Sequence, residues 1–138
     1  MTFKILDHPG DVKFRTNGET LEGAFTEVVS AVSELVGGPP ESNETVTKAI
    51  KFDARTLEAL LFDFLNQLIL FQDIENVVVI RADELVIESS QHGYHLSATF
   101  YGNRIPSDEA LFDLKAPTYS QMLIDDNDGW TIEAVIDV

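Results

Sequence analysis

Hydrophobic residues follow two spacings along the chain: alternation in most of it, and a repeat of three to four residues in two stretches. The first helical stretch follows Thr20, a good N-cap, and ends at Gly37-Gly38-Pro39-Pro40, which cannot continue a helix. The second begins at Asp53 or Thr56 and has apolar residues beyond one stripe, so we expect it to be covered on more than one side. The predicted buried stripes are Leu21, Ala24, Phe25, Val28, Val32 and Leu35, and Leu57, Leu60, Leu61, Phe64, Leu65 and Leu68.

The alternating stretches predict strands before, between and after these helices. Asp83-Glu84 is predicted to be the turn of a hairpin, and Pro117 to end the strand before it or confine it to an edge. The predicted strands are residues 3–6, 11–16, 44–52, 77–81, 85–89, 94–101, 111–116, 119–124 and 130–136. This order predicts an α+β fold, with two helices packed on a mainly antiparallel sheet, and a single domain over residues 1–138.

Composition narrows the class of protein. A chain of 138 residues can bury about 68–70% of the surface that its unfolded form exposes. The absence of cysteine excludes disulfides, thiol nucleophiles and zinc–thiolate sites. No apolar run approaches the ~20 residues of a membrane span, and the N-terminus lacks the apolar region of a signal peptide. We therefore expect a soluble, cytoplasmic protein without a membrane partner.

The charge is strongly negative, with 24 acidic and 9 basic residues and a formal net charge of −15. Nucleic-acid binding draws most of its affinity from lysine and arginine at phosphates, so we expect no direct RNA or DNA binding. A basic protein partner or a bound cation would suit this surface better.

One candidate site lies in Asp7-His8-Pro9-Gly10-Asp11, where two carboxylates and an imidazole surround a Pro-Gly turn that opens into a strand. One hypothesis is a small metal-dependent phosphoester hydrolase that uses Asp7, His8 and Asp11, with His8 as the general base. The chain has neither a Gly-x-Ser-x-Gly motif nor a phosphate-binding P-loop, which argues against classical nucleophilic or nucleotide hydrolysis.

The last predicted strand carries a second candidate. One parity of residues 130–138 is wholly apolar, whereas Asp137 projects from the other. The α-carboxylate that follows at Val138 would place two carboxylate groups close together, in an oxygen-rich pocket that suits Ca²⁺ or Mg²⁺. The alternative is an ordinary edge strand.

Two other patterns are weaker. Residues 125–129 lack the acidic positions of a calcium loop, and Asp128-Gly129 predicts a tight hairpin turn instead. His92 lies in a predicted turn and His95 on a strand face, where we expect a surface or hydrogen-bonded residue rather than a metal ligand.

Four blocks of the sequence resemble those of the archease family, in the order of that family and over nearly the whole length. Asp7-His8-Pro9-Gly10-Asp11-Val12 is similar to its Asp-His-Thr-Ala-Asp opening, and residues 60–68 resemble its Leu-Leu-(Tyr/Phe)-x-(Phe/Trp)-Leu-Asn-Glu-Leu helix. Lys115-Ala116-Pro117-Thr118-Tyr119 resembles its Lys-Ala-x-Thr-Tyr-His segment, and residues 129–138 its Gly-Trp…Asp-Val ending.

The resemblance implies interleaved strand–helix–strand–strand units and a function as an accessory protein of the RtcB-type RNA ligase. That ligase joins 2′,3′-cyclic phosphate or 3′-phosphate ends to 5′-hydroxyl ends in tRNA splicing and RNA repair. Archeases promote guanylylation of the ligase histidine and support multiple turnover. The protein would then not be an enzyme itself, and it would meet RNA only through the ligase.

The resemblance also implies site residues and a contact between the two ends of the chain. Asp11, Asp137 and Val138 would bind a divalent cation, Val138 through backbone or terminal oxygens, with calcium expected first and magnesium or manganese as alternatives. Asp7 and His8 would hold the turn or touch the partner, and Lys115 would contact the ligase or a phosphate.

Three positions depart from the family pattern. Thr-Ala becomes Pro9-Gly10, the histidine after Tyr119 becomes Ser120, and the helix glutamate becomes Gln67. We therefore rely more on the pair Asp11 and Asp137 than on the segment 115–120. The metal-dependent hydrolase, and a metal-free chaperone-like interaction module, remain the alternatives.

Overall fold

A computed structural model describes residues 2–6, 11–40, 44–107, 109 and 111–138. In chain order the elements are β1 (Thr2–Leu6), β2 (Asp11–Gly18), α1 (Leu21–Leu35), β3 (Thr45–Ala54), α2 (Leu57–Glu75), β4 (Val77–Ser90), β5 (Gly93–Arg104), β6 (Ala116–Pro117), β7 (Leu123–Asp125) and β8 (Trp130–Asp137). They form two antiparallel sheets. The five-stranded sheet has the order β1-β2-β8-β6, with β7 also on β8, and the three-stranded sheet has the order β3-β5-β4. The predicted α+β class is confirmed, with two sheets in place of one.

Both helices begin where the sequence predicts. The hydroxyl oxygens of Thr20 and Thr56 accept hydrogen bonds from the backbone N–H groups of Gly23 and Ala59, each at 3.0 Å. These two caps satisfy N–H groups that the first turn of a helix otherwise leaves without partners. α1 ends at Leu35, just before the predicted stop, where Gly37 has a φ of 113°, a left-handed conformation that a residue with a Cβ rarely adopts.

Each helix contacts both sheets. α1 packs against β1, β2 and β8 on one side and β4 on the other, whereas α2 packs against β3, β4 and β5 as well as β6 and β7. Phe64 of α2 meets Phe25 of α1 and Phe100 of β5 edge to face, with ring centroids 5.4 and 5.6 Å apart. The prediction that α2 is covered on more than one side is confirmed.

The predicted hairpin at Asp83-Glu84 is wrong, because β4 runs without interruption through these residues. The register moves from Asp83 opposite Thr99 to Val86 opposite Ser97, so Glu84 lies in a β-bulge, with a φ of 54°. The continuous partner strand β5 pairs with β4 on both sides of the bulge, and the extra residue is absorbed there instead of reversing the chain.

Two further predicted strands are mostly wrong. Residues 111–115 have no ladder, although Leu114 is buried, and pairing begins only at Ala116. Pro117 has no N–H with which to extend the ladder, and the chain then turns, with the N–H of Met122 donating to the carbonyl oxygen of Tyr119 at 3.3 Å. β7 is correspondingly short. The tight turn at Asp128-Gly129 is confirmed, since φ is positive at both residues.

Candidate functional site

The strands from the two ends of the chain lie side by side in the five-stranded sheet. β2 and β8 pair antiparallel along their whole length, and the first pair of the register is Asp11 opposite Asp137. Directly opposed residues of an antiparallel pair project from the same face, with Cβ atoms about 4.5–5.5 Å apart. The structure therefore brings together two of the predicted site residues, which are 126 positions apart in the sequence.

The alternation of β8 decides which face carries these carboxylates. Ile132, Ala134 and Ile136 are completely buried on the side of the helices, as their parity predicts. Asp137 lies on the opposite face and is exposed, whereas Asp11 and Val138 are half-buried. The outer face of the five-stranded sheet is thus the face on which the candidate site lies.

Two like charges directly opposite each other destabilise a sheet, and a cation between them relieves this repulsion. The donors also suit a hard cation, because carboxylate and main-chain carbonyl oxygens are the ligands that Ca²⁺ and Mg²⁺ prefer, and Val138 is adjacent. Over the described ranges, no group of three or more His, Asp or Glu side chains is arranged to hold a metal ion. Asp7 and His8, the remaining predicted residues of this region, lie outside the described residues.

The segment that contains Lys115 borders Asp137 on the other side. The backbone N–H of Lys115 donates to the carbonyl oxygen of Asp137 at 2.9 Å, and Ala116 pairs with Asp137 in the register of β6 and β8. Thr118 donates to the carbonyl oxygen of Val135 from both its N–H (3.1 Å) and its hydroxyl (3.0 Å). The side chain of Lys115 is exposed.

Sequence reasoning missed a row of charged side chains on the same face. Glu133 accepts a hydrogen bond from Nε of Arg15 at 2.6 Å and lies 3.4 Å from Nζ of Lys13, which also donates to Gln121 at 3.0 Å. Partial burial raises the pKa of Glu133, but the hydrogen bonds and charges of Arg15 and Lys13 outweigh it and hold this pKa below its ordinary value. The parity that β2 and β8 share could have revealed the group.

An exposed aromatic pair was also missed. The rings of Phe62, on α2, and Tyr119, two residues after β6, stack with centroids 4.5 Å apart and planes inclined by 10°. Tyr119 is 55% exposed. The only sequence signal was a tyrosine shortly after a proline at a strand end, which does not indicate which residue it contacts.

The histidines that the sequence analysis considered weak candidates lie on the other sheet. His95 faces Asp53 across β3 and β5 and is hydrogen-bonded to it through Nδ1, as expected for a hydrogen-bonded surface residue. His92 lies in the turn between β4 and β5. Both line a cavity of about 540 Å³ with Asp53 and Glu88. Within the part of the chain that is described, no helix is long and apolar enough to cross a membrane.

The fold and the site define a small α+β protein in which β2 and β8 present opposed carboxylates at one end of an antiparallel sheet. Residues 3–138 match the model of the archease protein family (MTH1598/TM1083), and the chain belongs to this family.

Relatives and a solved structure agree with this assignment. The chain is 32% identical to a protein named archease from Pyrococcus abyssi, over 96% of this chain and 95% of that protein. It is 31% identical to an archease from Pyrococcus furiosus with the same coverage. The solution structure of Methanobacterium thermoautotrophicum protein 1598 superimposes with a TM-score of 0.76 at 22% identity, covering 99% of this chain and 98% of that one. This last likeness shows that the fold is shared.

Proposed function

We propose that this protein is a metal-binding accessory protein that activates an RtcB-type RNA ligase of tRNA splicing and RNA repair. It promotes guanylylation of the ligase and its multiple turnover, and it catalyses no ligation itself. The observation that carries the proposal is the register of β2 and β8, which sets Asp11 directly opposite Asp137 in a chain that belongs to the archease family.

In this proposal the carboxylates of Asp11 and Asp137, with a main-chain oxygen of Val138, hold a divalent cation, calcium first and magnesium or manganese as alternatives. The cation supplies positive charge at a point where the protein by itself has two negative charges. The protein's own contribution is to fix the two carboxylates through a ladder of eight residue pairs, so that a ligand pair is already formed before the cation binds.

The partner in this proposal is the ligase, and RNA is met only through it. A net charge of −15 opposes direct binding to a polyanion and favours association with the basic surface that an RNA ligase presents to its substrate. Lys115, exposed beside Asp137, is in a position to contact the ligase or a phosphate held there. The proposal places the protein in the cytoplasm with its ligase.

The test is RNA ligation by the host's own ligase under multiple-turnover conditions, with and without this protein. We expect the wild type to stimulate turnover, and Asp11→Ala or Asp137→Ala to abolish the stimulation while circular dichroism shows an intact fold. Asp126→Ala, in the exposed turn between β7 and β8, is the matched control and should stimulate like the wild type.

Two results would contradict the proposal. Ligation that is unchanged by the wild-type protein would contradict the proposed accessory function. Full stimulation by both aspartate variants would contradict the proposed metal site. Hydrolysis of a phosphoester by the isolated, metal-loaded protein would favour the hydrolase alternative instead.

A further inference from the structure

We propose that Tyr119, supported by Phe62, is the aromatic anchor with which this protein docks onto a basic side chain of the ligase. The inference rests on the proposed function and adds to it the surface that provides affinity, as distinct from the carboxylates that provide activation. It is carried by the geometry of one aromatic pair and by the charges around that pair.

The first observation is that the ring of Tyr119 is packed on one face and exposed to solvent elsewhere. Phe62 lies flat against Tyr119, at a centroid distance of 4.5 Å and an angle of 10° between the planes, so one face of the tyrosine ring is covered. Tyr119 is nevertheless 55% exposed. Exposed tyrosines are enriched among the residues that dominate protein–protein binding energies, because they bury a large area while few rotatable bonds become fixed.

The second observation is that the backbone around Tyr119 is held before any partner arrives. Pro117 is buried and pairs with Ile136, and Thr118 makes two hydrogen bonds to the carbonyl oxygen of Val135. On the other side, the N–H of Met122 donates to the carbonyl oxygen of Tyr119 itself. A side chain on such a segment loses little conformational entropy on binding, so more of its contact energy appears as affinity.

The third observation identifies the chemistry of the partner. Glu58 lies four residues before Phe62 on α2, hence on the same side of the helix, and Asp63 follows Phe62 directly; both are exposed. The side of α2 that carries Phe62 therefore also carries an acidic residue, in a chain of net charge −15. An arginine or lysine of the partner can stack on the open face of Tyr119 while its charge meets these carboxylates.

The position of Tyr119 connects this anchor to the candidate metal site. Tyr119 is three residues beyond Ala116, which pairs with Asp137, and the N–H of Lys115 donates to the carbonyl oxygen of Asp137. A protein that binds Tyr119 therefore lies close to the strand that carries Asp137. A nucleobase is the weaker candidate for this ring, because the net charge of −15 opposes the approach of a polyanion.

The experiment is a titration of ligase stimulation against the concentration of this protein. We expect Tyr119→Ala to raise the concentration that gives half-maximal stimulation by at least tenfold and to leave the maximum unchanged, because Asp11 and Asp137 are intact. Tyr119→Phe should behave like the wild type. The matched control is Phe112→Ala, because Phe112 is a comparably exposed aromatic (50%) whose backbone is bonded to Val36 and Gln72.

A second variant tests the charge component and does not depend on how Tyr119→Ala folds. Glu58→Lys combined with Asp63→Lys should also raise the half-maximal concentration, more at low than at high salt, since surface charges are screened by salt. Circular dichroism checks the fold of each variant.

The possible outcomes separate this inference from the proposed function. If the wild type stimulates and Tyr119→Ala gives the same titration curve, the anchor is wrong and the accessory function stands. If Tyr119→Ala binds the ligase normally but lowers the maximum, the ring contacts nucleotide or RNA, which overturns the inference. If the wild type gives no stimulation, the proposed function itself has failed.

Discussion

In each of the two sheets, ionisable side chains lie directly opposite each other on neighbouring strands, but the chemistry of the opposed groups differs. In the five-stranded sheet Asp11 lies opposite Asp137, so that like charges face each other. In the three-stranded sheet His95 lies between Asp53 and Glu88, each directly opposite it on a neighbouring strand, and its Nδ1 is hydrogen-bonded to Asp53. Both arrangements follow from antiparallel register.

The difference shows that register alone does not make a site; the chemistry of the opposed side chains decides. An imidazole between two carboxylates supplies a hydrogen-bond donor from within the chain. Two opposed carboxylates gain stability from a cation that comes from outside. This contrast is why we propose a metal at Asp11 and Asp137 and none at His95, and the predictions below test it from the largest expected effect to the smallest.

The largest effect concerns calcium. At a concentration about 100 times its dissociation constant, a ligand that binds only the folded state stabilises it by about 2.7 kcal/mol. We expect Ca²⁺ to raise the melting temperature of the wild type by several degrees, Asp137→Asn to lose this response, and Asp53→Asn to keep it. The measurement is thermal denaturation with and without the metal. Equal calcium-induced shifts of the melting temperature in both variants would contradict the proposal that the metal binds at Asp11 and Asp137 and not at His95.

The second effect concerns Glu133, which is on the face of the carboxylate pair but has its cations within the chain. We expect Glu133→Gln to lower the free energy of unfolding by about 1–2 kcal/mol at pH 7, because Arg15 and Lys13 lose their charged acceptor. The measurement is urea denaturation, and Glu88→Gln, exposed on the other sheet, is the control.

The pH dependence of this second effect has a definite sign. The pKa of Glu133 is lower in the folded state, so its stabilisation is present above the unfolded pKa of about 4.3 and is lost as the pH falls through the folded value. The wild type and Glu133→Gln should therefore differ most near neutral pH and converge below about pH 4. A difference that stays constant over this range would contradict the assignment of the charge to Arg15 and Lys13.

The third effect concerns a substitution that gives the three-stranded sheet opposed carboxylates like those of the five-stranded sheet. His95→Asp would set three carboxylates in a row on β3, β5 and β4, and we expect it to destabilise the metal-free protein by about 1 kcal/mol. Added Ca²⁺ should recover part of this loss. Ser97→Asp, two residues along the same face of β5 between Lys51 and Val86, is the control, and it should cost less. Equal losses would mean that the acidic neighbours do not matter.

The smallest effect is a difference of sign. Without metal, Asp137→Asn should stabilise the protein by about 0.5 kcal/mol because it removes one of two opposed like charges, whereas Asp53→Asn should destabilise it by a similar amount because it weakens the bond to His95. Chemical denaturation in a chelator measures both values. A loss of stability in Asp137→Asn would contradict the repulsion between the two opposed carboxylates.

Local signals in the sequence predicted much of the fold. The helix starts at Thr20 and Thr56 and the stop at Gly37 depend on neighbouring residues alone, and all three were correct. The parity of β8 was correct for the same reason. The bulge at Glu84 could not be distinguished from a turn by local signals. The distinction depends on whether a partner strand continues past Glu84, and only the pairing of β4 with β5 shows that it does.

The candidate site divides in the same way. The sequence by itself determined which residues are acidic, that Asp137 projects away from the core, and, through four short blocks, which family the chain resembles. Only the tertiary structure decided that Asp11 lies opposite Asp137, that Arg15 and Lys13 meet Glu133, and that Phe62 supports Tyr119. Periodicity follows from backbone geometry within one element, whereas these contacts join residues more than fifty positions apart, and the packing of both sheets around the two helices determines them.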